Sequence, residues 1–139
     1  MQITIDREPR GAKEGIALSV VARQNAKDTY QFKIDVWSEK GSGIYRVRLD
    51  GFGYLKSIEA SSPQEVFLIL SGLSSALVEA EVAQYHKRIR LALADAPPQM
   101  DFAAFTLPDP SELAVGEYFK AAKDAMLKEL GPLMESGQN

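Results

Sequence analysis

The chain has no cysteine, and among its 139 residues there is one histidine, His86. The first absence excludes disulfides and thiolate metal centres. The second excludes metal sites built from paired imidazoles. No apolar run approaches the roughly 20 residues that span a bilayer. Met1–Asp6 lacks the basic and apolar segments of a secretory signal. A strongly basic surface is also missing. Net charge is −3 and the isoelectric point about 5.2, which disfavours the counterion release that drives non-specific nucleic-acid binding. The expectation is a cytoplasmic protein with no nucleic-acid partner and no membrane insertion.

What is present is ordinary globular material, 45% hydrophobic and 25% charged, enough for one core in a single domain over residues 1–139. Apolar residues recur at every second position in residues 1–60. Gln2–Asp6 alternates briefly and reads as a possible extra edge strand. Ile16, Leu18 and Val20 share a face of a strand over Ile16–Arg23. In Tyr30–Trp37, Tyr30, Phe32, Ile34 and Val36 face one way and Gln31, Lys33, Asp35 and Trp37 the other. Tyr45, Val47 and Leu49 continue the pattern after a hairpin at Glu39–Gly43. Gly51 and Gly53 signal a bulge or bend. Tyr54–Glu59 either extends that strand or forms another. Short connections favour a four-stranded antiparallel meander with one buried face.

The period changes at Ser61-Ser62-Pro63-Gln64-Glu65. Ser62 suits an N-cap, Pro63 the first helical position, and Glu65 a capping box. Val66, Phe67, Leu70, Leu73 and Leu77 follow at helical spacing, then a rotated stripe of Val78, Val82, Tyr85, Ile89 and Leu93. The spacing fits one long helix over residues 63–94 or a break near Gln84; Ile89, Leu91 and Leu93 alternate as a strand over Arg88–Leu93 would, but frequent alanine and few β-branched residues favour helix. Gly72 in its interior suggests close packing on the sheet. Residues 95–109 form a proline-rich connector that is too apolar to float. A last helix over residues 110–131 carries Val115, Tyr118, Phe119, Ala122, Met126 and Leu130 on its inner face, capped by Asp109 with Pro110 and Glu112 and ended by Gly131-Pro132. The fold class is α+β.

No residue set reads as catalytic. His86 lacks a nearby nucleophile or carboxylate partner in the sequence and reads as a helix-surface residue. The cluster His86-Lys87-Arg88-Ile89-Arg90 reads as a solvated face pairing with Glu79 and Glu81. Gly41-Ser42-Gly43 and Gly51-Phe52-Gly53 lack the spacing and the strand-to-helix context of phosphate loops. No metal or cofactor is implied. The aromatics carry more. Trp37 falls on the polar side of its strand, Phe52 and Tyr54 flank Gly53, and Phe102 and Phe105 lie in the connector. These five are the candidate contacts for a polypeptide client.

Three stretches resemble the bacterial export chaperone SecB and its relatives: Asp28–Val36, Tyr45–Ser57 with its glycine–aromatic interruption, and Pro97-Pro98-Gln99-Met100-Asp101-Phe102. The resemblance spans Ile16–Lys120. It implies a non-enzymatic, homo-oligomeric holder of unfolded polypeptides. The alternatives are a dedicated single-partner inhibitor, such as an immunity or antitoxin-like protein, and a small enzyme with dispersed Asp, Glu and Tyr catalysis.

Overall fold

The computed structural model describes residues 2–7, 17–23, 31–38, 43–95 and 114–137. Five strands come first: β1 (Gln2–Asp6), β2 (Ala17–Arg23), β3 (Phe32–Ser38), β4 (Tyr45–Gly51) and β5 (Tyr54–Ala60). Three helices follow: α1 (Pro63–Gly72), α2 (Ser75–Ala94) and α3 (Val115–Gly137). The strands form one antiparallel meander in the order β1-β2-β3-β4-β5. The fold is α+β, and the possible extra edge strand is present as β1. Tyr54–Ala60 is a strand of its own. Tyr30, Ile16 and most of the Glu39–Gly43 hairpin lie outside the described residues.

Alternation in the sequence becomes rows across the sheet. The register sets Leu18 beside Val36 and Val47, Val20 beside Ile34 and Leu49, and Ala22 beside Phe32 and Gly51. All of these apolar side chains are buried. The third row explains Gly51. A Cβ there would lie 2.5 Å from the Gln31 carbonyl oxygen and 2.7 Å from the Phe32 ring, so the space a side chain would use is already filled.

Helix α3 covers this face. Val115, Phe119, Ala122, Met126 and Leu130 have no solvent exposure and follow the three-and-four spacing of a single apolar stripe. The Phe119 ring meets Phe32 edge to face, with centroids 5.5 Å apart. Burial of each large side chain contributes about 1.5–3 kcal/mol. The expected stop at Gly131-Pro132 does not occur; α3 runs on to Gly137 with Pro132 inside it. Proline removes one helical hydrogen bond, but Pro132 and Lys128 are both exposed, so water can serve the freed carbonyl. The expected cap at Asp109, Pro110 and Glu112 lies outside the described residues.

The region read as one long helix, or as broken near Gln84, is broken elsewhere. α1 and α2 meet at a bend of 79° across Leu73-Ser74. Ser62 caps α1 as expected, its Oγ accepting from the Glu65 N–H at 3.1 Å. Ser74 caps α2 in the same way, accepting from the Leu77 N–H at 3.1 Å. Gly72 therefore ends a helix, and nothing lies within 4 Å of where its Cβ would sit; it makes no close packing on the sheet. The Lys123 ammonium donates to the Leu73 carbonyl at 3.0 Å, which ties the bend to α3. Among the described residues no single helix is long and apolar enough to cross a membrane.

Candidate functional site

The turn between β4 and β5 gathers one set of polar and aromatic side chains. Gly51 pairs with Tyr54, so Phe52-Gly53 is a two-residue hairpin turn. Both residues are left-handed, with φ of 54° and 77°, as the mirror-image hairpin turns require. Glycine adopts this freely, whereas phenylalanine in that region costs about 1–2 kcal/mol. Its neighbours hold it there. The Phe52 carbonyl lies 2.6 Å from His86 Nε2, and the Phe52 ring packs 6.0 Å from that of Tyr118 on α3.

His86 is not the surface residue its sequence setting suggests. It is 1% exposed, because it lies one turn beyond Val82 on the inward face of α2. A carbonyl can only accept, so Nε2 carries the proton. Nδ1 is buried and has no partner. Tyr85 packs 5.8 Å from the imidazole and 6.2 Å, edge to face, from Tyr54.

Tyr54 opens β5 and is itself buried. Its hydroxyl donates to Glu81 Oε2. The Lys56 ammonium donates to both Glu81 oxygens, at 2.9 and 3.1 Å. Glu81 thus reaches across to β5, where the sequence suggested pairing with the basic residues on its own helix. The Tyr54 bond, then the Lys56 bond, hold Glu81 below the ordinary carboxylate value of 4.5. Burial first, then the bond to Glu81 and its charge, push the Tyr54 phenol well above its usual range. Tyr54 is therefore a neutral donor and Glu81 a committed anion, which makes neither a base near pH 7. Beside them opens a cleft of about 260 Å³ lined by Tyr54, Ala80, Glu81, Gln84 and Arg88.

This arrangement has a pH signature. A carboxylate depressed in the folded state contributes stability that is complete above its unfolded value near 4.5 and is lost as pH falls through the folded value. Glu81→Gln should flatten the acid limb of the stability curve by about 1 kcal/mol or less, since the pair is part-exposed. Urea melts of both proteins at pH 7 and pH 3 check this. Equal losses on acidification would refute it.

The other sheet face holds a second polar set. The register aligns Ser19, Asp35, Arg48 and Ser57 in one row. Ser19 and Asp35 are 5% and 8% exposed. Ser19 Oγ donates to Asp35 Oδ1 at 2.6 Å, and Arg48 Nη2 donates to Asp35 Oδ2 at 3.1 Å. Lys33 Nζ lies 3.5 Å from the same oxygen. The Arg48 guanidinium sits 5.4 Å from the Trp37 ring centroid, a cation–π contact.

The five aromatic candidates therefore do not form one patch. Phe52 and Tyr54 meet at the β4–β5 turn. Trp37 lies on the opposite sheet face, paired with Arg46 and Ala17 at the other end of the strands. Phe102 and Phe105 lie outside the described residues. Among the described residues no group of three or more His, Asp and Glu side chains could hold a metal ion. His86 was findable from sequence by its place on the Val82–Ile89 stripe. The Asp35–Arg48 row was not, because it depends on pairing register.

The sheet also has two outer strands. β5 is partly overlaid, with Tyr54 and Ala60 buried. In β1, Gln2, Ile3, Thr4 and Asp6 are exposed and Ile5 is half-buried. The strand is fixed at its end by Arg7, which pairs with Glu129 of α3 at 3.0 Å. Arg23 Nη1 also donates to Thr4 Oγ1 at 3.2 Å. The fold and these surfaces define a small α+β domain in which β1 is a terminal strand of the sheet with mostly exposed residues. In comparisons with known protein families, curated proteins and solved structures, none matches this chain.

Proposed function

We propose that the protein is a non-enzymatic polypeptide-binding module that holds extended, non-native segments by strand addition at β1. The carrying observation is the exposed outer edge of β1. An unpaired strand presents a row of N–H and C=O groups that any extended chain can satisfy, whatever its sequence. Ile3, 38% exposed, adds apolar contact at the same edge. Among the described residues, β1 lacks the lysines, proline and bulge that commonly block such edges. The acidic net charge keeps a sticky surface soluble. The resemblance to SecB supports the same reading, along with a cytoplasmic location.

Light scattering from a model unfolding protein tests it. The wild-type chain should suppress aggregation near equimolar ratio. Thr4→Glu puts a charge on the edge while leaving Arg23 an acceptor. It should weaken suppression several-fold while changing stability by no more than about 0.5 kcal/mol. A folded wild-type protein that suppresses nothing sinks the holder reading and favours a single dedicated partner. Full suppression by the variant would remove β1 as the site.

A further inference from the structure

Helix α2 carries a second stripe that, apart from the half-buried Glu81, is exposed among the described residues. Leu77, Glu81, Gln84, Arg88 and Leu91 are spaced by four, three, four and three residues. At 3.6 residues per turn they fall within an arc of about 80°. The buried residues Val78, Val82 and His86 lie on another side of the helix. Gln84 and Arg88 are exposed, as are Leu77 at 44% and Leu91 at 59%. Three-and-four spacing is the seam of two packed helices, and here one of the two helices is missing.

The order along the seam is palindromic about Gln84. Leu77 and Leu91 each stand seven residues from it, about 10 Å along the axis. Glu81 precedes it by three residues and Arg88 follows it by four, a mismatch of about 1.5 Å that long side chains absorb. Turned end for end, the stripe sets leucine against leucine, Glu81 against Arg88, and Gln84 against itself. We infer that α2 packs antiparallel against α2 of a second copy of this chain, on a twofold axis through Gln84.

Self-complementarity is what an isologous dimer requires, and a foreign partner would impose no palindrome. Charge bookkeeping agrees. Arg88 lines the cleft beside Glu81, and its charge acts there on the Tyr54 phenol. Glu81 accepts from Tyr54 and Lys56, and a carboxylate has about four acceptor positions. Arg88 of the second copy can therefore join without displacing either. Antiparallel helices also set their dipoles head to tail. The inference is independent of strand addition at β1, which uses a different surface.

The chain has no cysteine, so one introduced thiol reports on one position. Gln84→Cys should form an interchain disulfide under mild oxidation. Ala83→Cys, exposed on the same helix but off the seam, should form little. Light scattering coupled to size exclusion should give a dimeric or higher even-numbered mass for the wild type. Arg88→Glu, which sets Glu81 against a carboxylate, should weaken association at least tenfold, with circular dichroism confirming an unchanged fold. A monomeric wild type overturns the proposal. So does an Ala83→Cys variant that cross-links as fast as Gln84→Cys, or an Arg88→Glu variant that associates as the wild type does.

Discussion

Replacing His86 with alanine should lower the unfolding free energy by about 3 kcal/mol. Two losses add. The side chain is 1% exposed, and truncating a buried side chain of this size leaves a cavity that costs about 2–5 kcal/mol. The Phe52 carbonyl, 2.6 Å from Nε2, also loses its donor, and an unsatisfied buried acceptor costs about 1–3 kcal/mol. Two gains offset part of this. The unpartnered Nδ1 disappears, and the Phe52-Gly53 turn is freed to relax its left-handed phenylalanine. Total stabilities run about 5–15 kcal/mol, so the variant should melt visibly earlier. Urea denaturation measures it. His86→Gln retains an N–H donor near the carbonyl and should recover about 1 kcal/mol of the loss. A change under about 0.5 kcal/mol for His86→Ala would mean that the turn is held by the strands alone.

Asp35→Ala should cost about 2–3 kcal/mol, for an electrostatic reason. Asp35 accepts from Ser19 and Arg48 on the outer sheet face. Removing one member of a buried pair leaves the other charged and unmatched, at about 3–5 kcal/mol when burial is complete. The lower figure applies because the Arg48 side chain is 27% exposed and can recruit some water. Arg48 starts from a weak position, since its Nε is already buried without a partner. The companion expectation separates this from mere packing. Asp35→Leu combined with Arg48→Met should be more stable than Asp35→Leu alone by about 1 kcal/mol or more, since the stranded charge goes with its partner. A double-mutant cycle by urea melts reads the coupling. Additive losses would show that the Asp35–Arg48 contact contributes nothing.

Much of the frame was legible in the chain. Phe32, Ile34 and Val36 alternate with Lys33, Asp35 and Trp37, and the structure buries the first set under α3 while placing the second on the opposite sheet face, where Asp35 is also buried. Ser62-Pro63 marks the start of α1, and the α3 stripe from Val115 to Leu130 is buried as its spacing requires. These are local patterns. Strand and helix periods are fixed by backbone geometry, so which residues share a face follows from sequence spacing alone. Trp37 falls on the same face as Lys33 and Asp35 for that reason.

What the chain could not determine alone was who meets whom across elements. Gly72 reads as an interior packing point and Gln84 as the one break, yet the helix ends at Gly72; the Lys123 bond to the Leu73 carbonyl secures that bend only once α3 has docked. Glu81 sits within reach of cations on its own helix, yet pairs with Lys56 because β5 passes beneath α2. His86 looks solvated between basic neighbours and is buried because the β4–β5 turn rises against its face of the helix. Asp35 and Arg48 are thirteen residues apart and become partners through register alone. Sequence determined faces, periods and the Ser62 cap, which arise within a few residues of chain. Tertiary structure decided the polar contacts, because they depend on the relative placement of elements that the chain brings together only on folding.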